Sequence, residues 1–159
     1  MNNFFNIKNF YFLLALLSIC TLISAVYIEY AIGIKPCKLC LYQRLPYIVS
    51  IFLCFFGYIN SKNPIWIGLL SLTFLVSIIL SGYHWGIESN IFPEFSGCTA
   101  NNLNILDKEE LLNSLSEILP NCKDVSFRIF GLSLATINFF ISLLIVLISL
   151  VVIKNEKNR

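Results

Sequence analysis

The sequence predicts an all-α integral membrane protein, a four-helix bundle with two polar loops that carry cysteines. Of the 159 residues, 57% are hydrophobic and only 13% are charged, whereas a soluble domain has roughly 25% charged residues. Four apolar runs approach the roughly 20 residues that cross the hydrocarbon core of a lipid bilayer. The net charge of +2 comes from 11 basic and 9 acidic residues, a balance that indicates no nucleic-acid partner. We therefore expect one membrane domain over residues 1–159.

The four apolar runs define the expected spans. The first is longer than the roughly 7–15 apolar residues of a signal peptide, so we expect it to remain in the mature protein. The second reaches spanning length only if its helix begins near Cys40. Pro64 suits the first turn of the third helix, which follows a short polar turn. The expected spans are about residues 10–28, 41–59, 65–83 and 127–153.

Two loops, about residues 29–40 and 84–126, connect the spans on the side opposite the termini. We expect both termini in the cytoplasm, because the basic residues near them lie in short segments and because oxidised cysteine pairs belong in an oxidising compartment. In the second loop, Asp107 and Glu110 have the spacing of a helix cap, and apolar residues recur at helical spacing until Pro120. This loop is therefore expected to contain a short amphipathic helix.

The six cysteines divide by position. Cys20 and Cys54 fall inside apolar runs, where cysteine usually acts as a small buried hydrophobic residue. The other four form an even set, as expected for two disulfides in an oxidising compartment. These loop cysteines are Cys37, Cys40, Cys98 and Cys122.

The segment from Lys35 to Arg44 contains a C-x-x-C pair between two apolar runs. Such a pair can close a strained disulfide and has a depressed thiol pKa, which is typical of redox chemistry. A helix that begins near Cys40 would direct its exposed amides toward the thiols. Arg44 would then lie one turn from Cys40 on the same face, so we expect the thiolate to be favoured on Cys40.

Two dithiol pairs on one side of a membrane bundle predict a relay, because each disulfide exchange passes two electrons. The sequence has no flavin, haem or iron–sulfur motif, so the electrons are expected to pass to a diffusible membrane quinone. Arg44 could stabilise negative charge that develops on the quinone. His84, just beyond the third span, is a second candidate quinone contact, whereas Glu29 is assigned no catalytic role.

Two other interpretations remain open at this point. One C-x-x-C pair, two isolated cysteines and His84 could assemble four zinc ligands, although the long separation of Cys98 from Cys122 argues against two C-x-x-C knuckles. We assign no metal to the activity. A non-enzymatic scaffold, whose long loop is stapled by a disulfide and binds another protein, is the other alternative.

Four stretches carry a resemblance to a known family. Pro36 to Arg44 reads P-C-x-L-C-x-Y-x-R, Tyr83 to Glu88 reads Y-H-x-G-x-E, the second loop has Cys98-Thr99 and Cys122, and Phe130 to Asn138 reads F-G-L-S-x-A-x-x-N. Over almost its whole length the chain resembles the DsbB family of bacterial disulfide-bond formation proteins. The resemblance implies a multi-pass protein of the bacterial inner membrane that reoxidises a periplasmic DsbA-like thiol oxidase and reduces ubiquinone or menaquinone.

The resemblance also implies roles for individual residues. The thiolate of the partner would attack Cys98, whose disulfide mate would be Cys122. Cys37 and Cys40 would form the pair that reduces the quinone, with the Cys40 sulfur next to the quinone ring. Arg44 would be the charge partner of that sulfur, with His84 nearby.

Overall fold

The computed structural model describes residues 7–93, 122–123, 127–129 and 131–157. It confirms an all-α membrane fold, because four helical stretches are long and apolar enough to cross a bilayer. Most of the second loop, including Cys98 and the expected amphipathic helix, lies outside the described residues. The elements are α1 (Ile7–Tyr30), α2 (Lys38–Tyr42), α3 (Leu45–Ile59), α4 (Ile65–Glu88), β1 (Arg128–Ile129), β2 (Leu132–Ser133) and α5 (Leu134–Lys157).

The second span, Lys38–Ile59, is interrupted between α2 and α3. Pro46 lies at the start of α3, and it has no amide hydrogen to donate to the carbonyl of Tyr42, the last residue of α2. Gln43 and Arg44 therefore form a turn, in which the Arg44 amide donates to Leu41 O at 3.1 Å. Cys40 and Arg44 consequently do not lie on one continuous helix. The expectation that they do was wrong.

The fourth spanning helix, α5, begins at Leu134 instead of about residue 127. The residues before it form an antiparallel hairpin in which Arg128 pairs with Ser133. Gly131 turns the hairpin with a φ of +81°, a conformation that glycine adopts without steric cost. The Ser133 side chain accepts a hydrogen bond from the Thr136 amide at 3.1 Å. This N-cap fixes where the helix begins.

The spanning helices pack mainly in sequence order, α1 against α3, α3 against α4 and α4 against α5. Among the described residues, no comparably extensive contact joins α1 to α5. The core between the helices includes the fully buried rings of Tyr11 and Phe74, and Phe74 meets Tyr47 edge-on at 5.7 Å between ring centroids. The bundle is therefore least closed between α1 and α5.

The outer faces of the helices are apolar, with side chains such as Phe52 and Ile79 more than 60% exposed. An apolar surface of this extent suits contact with lipid. Cys54 is buried, as expected, but the expectation for Cys20 was wrong, because this side chain is exposed on α1. An apolar run in a membrane helix includes its lipid-facing positions, so the run alone does not show which residues are buried.

Candidate functional site

The Cys37–Cys40 pair lies where the first loop enters α2. Cys37 is the N-cap residue of α2, and its Sγ accepts a hydrogen bond from the Cys40 amide at 3.3 Å. The two Sγ atoms are 2.8 Å apart, and both cysteines are free. Cys37 is buried, whereas Cys40 is half-buried. The cap geometry therefore directs the positive end of the helix to Cys37 rather than to Cys40.

The surroundings of Cys37 favour its thiolate form. The hydrogen bond from the Cys40 side chain is the largest effect that lowers the pKa of Cys37. Burial raises this pKa, but the hydrogen bond and charge of His84 and the Cys40 amide lower it further, to about 4. His84 Nε2 lies 3.7 Å from Cys37 Sγ. The thiolate thus falls on Cys37, although the sequence analysis expected it on Cys40.

A chain of buried amides holds the other side of the His84 ring. Gln43 Nε2 lies 3.0 Å from His84 Nδ1, and Gln43 Oε1 accepts from Asn138 Nδ2 at 3.2 Å. The Tyr47 hydroxyl in turn donates to Asn138 Oδ1. Because an amide nitrogen only donates, this arrangement leaves the proton of a neutral His84 on Nε2, which faces Cys37. Gln43 and Asn138 were not predicted as site residues, although they lie within the motifs from Pro36 to Arg44 and from Phe130 to Asn138.

Arg44 forms an ion pair with Glu29, with 2.7 Å between Nη1 and Oε2. Both side chains are about a quarter exposed, and both line the cavity described below. The turn at Gln43 and Arg44 brings the guanidinium to the last residues of α1. This role of Glu29 was not predicted from the sequence. The available signal was a carboxylate at the end of a membrane span, because such a group usually has a partner.

Glu88 follows His84 by one turn of α4. Its carboxylate lies 3.6 Å from His84 Nε2, and the two side chains are 9% and 4% exposed. The imidazole is thus enclosed by Cys37, Gln43 and Glu88. Glu88 was part of a quoted motif but was given no role, because its proximity to Cys37 depends on the packing of α4 against α2.

The candidate site surrounds a cavity of about 240 Å³ between α1, α2, α4 and α5. This volume is somewhat below the roughly 300–1,000 Å³ typical of pockets for drug-sized ligands. It therefore suits a single ring system, such as the head group of a longer lipid-soluble molecule. Its polar or reactive lining residues include Glu29, Lys35, Cys37, Cys40, Gln43, Arg44, Tyr47, His84, Glu88, Cys122 and Asn138.

Cys122 brings the second loop to the same cavity. It is 2% exposed and packs in one cluster with Cys37, Leu39 and Ile87. Its backbone is hydrogen-bonded to His84. Cys122 is disulfide-bonded, whereas the other described cysteines are free. Five of the six residues that the sequence analysis proposed for the site therefore line one cavity, and the sixth, Cys98, lies outside the described residues.

The fold and the site define a class, namely multi-pass membrane proteins with a C-x-x-C dithiol next to a loop disulfide. Comparison with known proteins identifies the family. The family model for disulfide bond formation protein DsbB matches residues 7–152. This chain belongs to the DsbB family, which confirms the resemblance seen in its motifs and indicates a disulfide oxidoreductase.

Two of three similar proteins carry the name of this family, and the third is uncharacterized. The chain is 27% identical to the uncharacterized protein RP370 of Rickettsia prowazekii over 150 residues, which cover 90% of this chain and 86% of the relative. It is 28% identical to disulfide bond formation protein B 2 of Pseudomonas fluorescens over 137 residues, or 80% and 73% of the two chains. Identity to disulfide bond formation protein B of Cupriavidus metallidurans is 30% over 86 residues, about half of each chain (54% and 53%).

Proposed function

We propose that this protein is a membrane thiol:quinone oxidoreductase that reoxidises a periplasmic DsbA-type dithiol oxidase. The observation that carries the proposal is the single cavity that brings together the Cys37–Cys40 dithiol, disulfide-bonded Cys122 and the Arg44 cation. The proposal places the chain in the bacterial inner membrane with both termini in the cytoplasm. The cysteine-bearing loops then face the periplasm, where a soluble partner meets them.

The first half of the proposed cycle moves electrons from the partner to Cys122. A partner thiolate attacks Cys98 in a Cys98–Cys122 disulfide, and Cys122 leaves as a thiolate. Cys122 then attacks the Cys37 sulfur of an oxidised Cys37–Cys40 pair, and Cys40 leaves as a thiolate. The packing of Cys122 in one buried cluster with Cys37 supports this direct exchange.

The second half releases the partner and completes reduction of the pair. The second thiolate of the partner resolves the mixed disulfide and frees Cys98, which attacks Cys122 in the Cys37–Cys122 bond. This step restores the Cys98–Cys122 disulfide and releases Cys37 as a thiolate. The products are an oxidised partner and a reduced Cys37–Cys40 pair.

Closure of the Cys37–Cys40 disulfide then delivers two electrons. A quinone bound in the cavity supplies the acceptor, which takes up two electrons and two protons to become the quinol. The guanidinium of Arg44 stabilises the negative charge that develops on the acceptor oxygen. The His84 Nε2 proton faces Cys37 and stabilises its thiolate between steps. The looser packing between α1 and α5 supports entry of a ring from the lipid.

The proposal is tested by following quinone absorbance with the purified protein in lipid nanodiscs and a reduced DsbA-type protein as donor. We expect loss of quinone absorbance in proportion to the donor thiols oxidised. Absence of quinone-dependent donor oxidation contradicts the proposal. The scaffold alternative is separated by thiol trapping in membranes depleted of quinone. A relay accumulates reduced cysteines under these conditions, whereas a stapled scaffold keeps its disulfides oxidised.

A further inference from the structure

Cys37, Cys40 and His84 form a cluster of potential metal ligands at the end of the bundle. Their ligand atoms all lie within 4.8 Å of one another. Two thiolates and an imidazole select zinc-like cations over magnesium or calcium, and C-x-x-C is a common spacing for zinc ligands. We propose that the reduced pair binds one thiophilic divalent cation of the zinc class through Cys37, Cys40 and His84, with Glu88 as the fourth ligand.

The distances within the cluster are close to those of a tetrahedral zinc site. Zinc–sulfur bonds of about 2.3 Å and zinc–nitrogen or zinc–oxygen bonds of about 2.0 Å place sulfur and nitrogen about 3.6 Å apart, and nitrogen and oxygen about 3.3 Å apart. Cys37 Sγ lies 3.7 Å from His84 Nε2, and Glu88 Oε1 lies 3.6 Å from the same nitrogen. His84 Nε2 thus has near-coordination spacings to Cys37 and Glu88, but the Glu88 carboxylate lies outside the 4.8 Å group of the other three ligand atoms.

The two sulfurs must separate to admit the cation, and the Glu88 carboxylate must move toward them. The sulfurs are 2.8 Å apart, whereas two sulfurs on one tetrahedral zinc ion are about 3.8 Å apart. Cys40 is half-buried and borders the cavity. Rotation of its side chain into the cavity supplies the extra separation without movement of α2.

The residues behind His84 can support a metal-bound imidazole. Coordination through Nε2 leaves the ring proton on Nδ1, which then needs an acceptor. Gln43 supplies its carbonyl oxygen if its amide turns over. Asn138 then turns over as well, so that its oxygen accepts from Gln43 and its nitrogen donates to the Tyr47 hydroxyl oxygen. The hydrogen-bond chain is preserved in the reversed direction.

This site binds a cation only when the pair is reduced. Coordination forms two metal–sulfur bonds, releases the proton of the Cys40 thiol to water and changes no oxidation state. A Cys37–Cys40 disulfide offers neither thiolate. A bound cation in turn blocks attack by either sulfur, so zinc inhibits disulfide exchange. This inhibition rests on the proposed function, whereas binding itself requires only the free thiols.

Binding is tested with cobalt(II) as a spectroscopic substitute for zinc. The full-length protein is reduced in detergent, freed of reductant without oxygen and titrated with cobalt(II), followed by zinc. We expect one cobalt per chain, with the visible bands of tetrahedral cobalt and near-ultraviolet thiolate-to-cobalt charge transfer, both removed by zinc. Absence of these bands in the reduced wild-type protein overturns the proposal.

Variants locate the site. Cys40→Ser should lose the charge-transfer band, and Glu88→Gln should bind cobalt about ten-fold more weakly or worse. Cys20→Ala is the matched control, because it removes a free cysteine on the outer face of α1 and should leave the titration unchanged. A full wild-type spectrum in Cys40→Ser overturns the proposed site. Unchanged affinity in Glu88→Gln overturns the assignment of the fourth ligand.

A second measurement separates this inference from the proposed function. Zinc should inhibit donor oxidation by the reduced wild-type enzyme, and a chelator should restore the rate. Cobalt binding in a protein that shows no quinone-dependent activity would support the metal site and contradict the proposed function. Quinone-dependent activity that is insensitive to zinc, in a protein without cobalt bands, would support the proposed function and contradict the metal site.

Discussion

The middle of the bundle and its cysteine end both bury polar side chains, but they stabilise them differently. In the middle, Ser18 Oγ donates to Leu14 O of its own helix at 2.9 Å and also meets Ser50 Oγ at 2.7 Å. Ser71 likewise donates to Ile67 O four residues earlier. Ser18 and Ser71 thus each have a partner within their own helix, which requires no particular arrangement of the bundle.

At the cysteine end, the partners come from distant parts of the chain. His84 on α4 contacts Cys37 and Gln43, which are 47 and 41 residues earlier in the sequence. Gln43 in turn contacts Asn138 on α5, and Arg44 contacts Glu29 on α1. These groups also line a cavity, whereas the serines fill the packed interior. Hydrogen bonds within one helix therefore stabilise the membrane interior, whereas contacts between different helices assemble reactive groups around the cavity.

The largest expected effect of a substitution is at the cysteine end. Cys40→Ser should reduce quinone-dependent oxidation of a DsbA-type donor by about 10⁴-fold or more, the scale of losing an essential nucleophile. Initial rates in nanodiscs measure this change. Cys54→Ser, in the packed interior of α3, is the control and should keep most of the activity. Equal rates for Cys40→Ser and the wild type would contradict the view that the cysteine end, rather than the packed interior, carries the activity.

A smaller loss is expected when the cation of the cavity is removed. Arg44→Met should lower kcat/KM for quinone by about 10²-fold, because a positive group near the developing charge is lost. Glu29→Gln removes only the partner of Arg44 and should change the same constant less. Steady-state rates over a range of quinone concentrations measure both. An effect of Glu29→Gln larger than that of Arg44→Met would indicate that the carboxylate, rather than the guanidinium, acts on the quinone.

The lowered pKa of Cys37 predicts a characteristic pH dependence of alkylation. Because this pKa is about 4, the thiolate persists above that pH, and the alkylation rate of Cys37 should fall only as the pH drops through 4. Cys40→Ala removes the largest cause of the shift and moves the pKa toward the ordinary value of about 8.5. The rate at pH 6 should then fall by about ten-fold or more, as measured by mass spectrometry of the Cys37 peptide.

Cys40→Ser provides the control for this pH profile, because its hydroxyl keeps a donor next to Cys37. Its profile should lie between those of the wild type and Cys40→Ala. An alkylation rate in the wild type that falls below about pH 8, as for an ordinary thiol, would show that the surroundings of Cys37 do not favour the thiolate.

The smallest effect is expected in the middle of the bundle. Ser50→Ala removes the hydroxyl that meets Ser18, but Ser18 keeps its bond to Leu14 O. The free energy of unfolding should fall by about 1 kcal/mol or less, the usual scale for one hydrogen bond inside a membrane protein. Unfolding in mixed micelles measures the stability, and quinone reduction should stay unchanged. A large loss of activity with intact stability would show that the buried serines in the middle of the bundle also contribute to quinone reduction.

The sequence by itself determined the four-helix membrane fold, the C-x-x-C pair and the family. Hydrophobic length and cysteine spacing are local properties, so they can be recognised without knowledge of the contacts. The helix break at Gln43 could also be predicted from the sequence, because Pro46 has no amide hydrogen to donate to the carbonyl of Tyr42, four residues earlier. The prediction that Arg44 lies one helical turn from Cys40 was wrong because it did not take Pro46 into account.

Only the tertiary structure decided which groups act on each sulfur. The pairing of Arg44 with Glu29 and the approach of His84 to Cys37 depend on how α1 and α4 pack against the first loop and the α2–α3 turn. The thiolate falls on Cys37 mainly because the Cys40 side chain is hydrogen-bonded to it, and His84 and the Cys40 amide add to this effect. Contacts between side chains on different helices have no periodicity in the sequence, so packing alone brings them together.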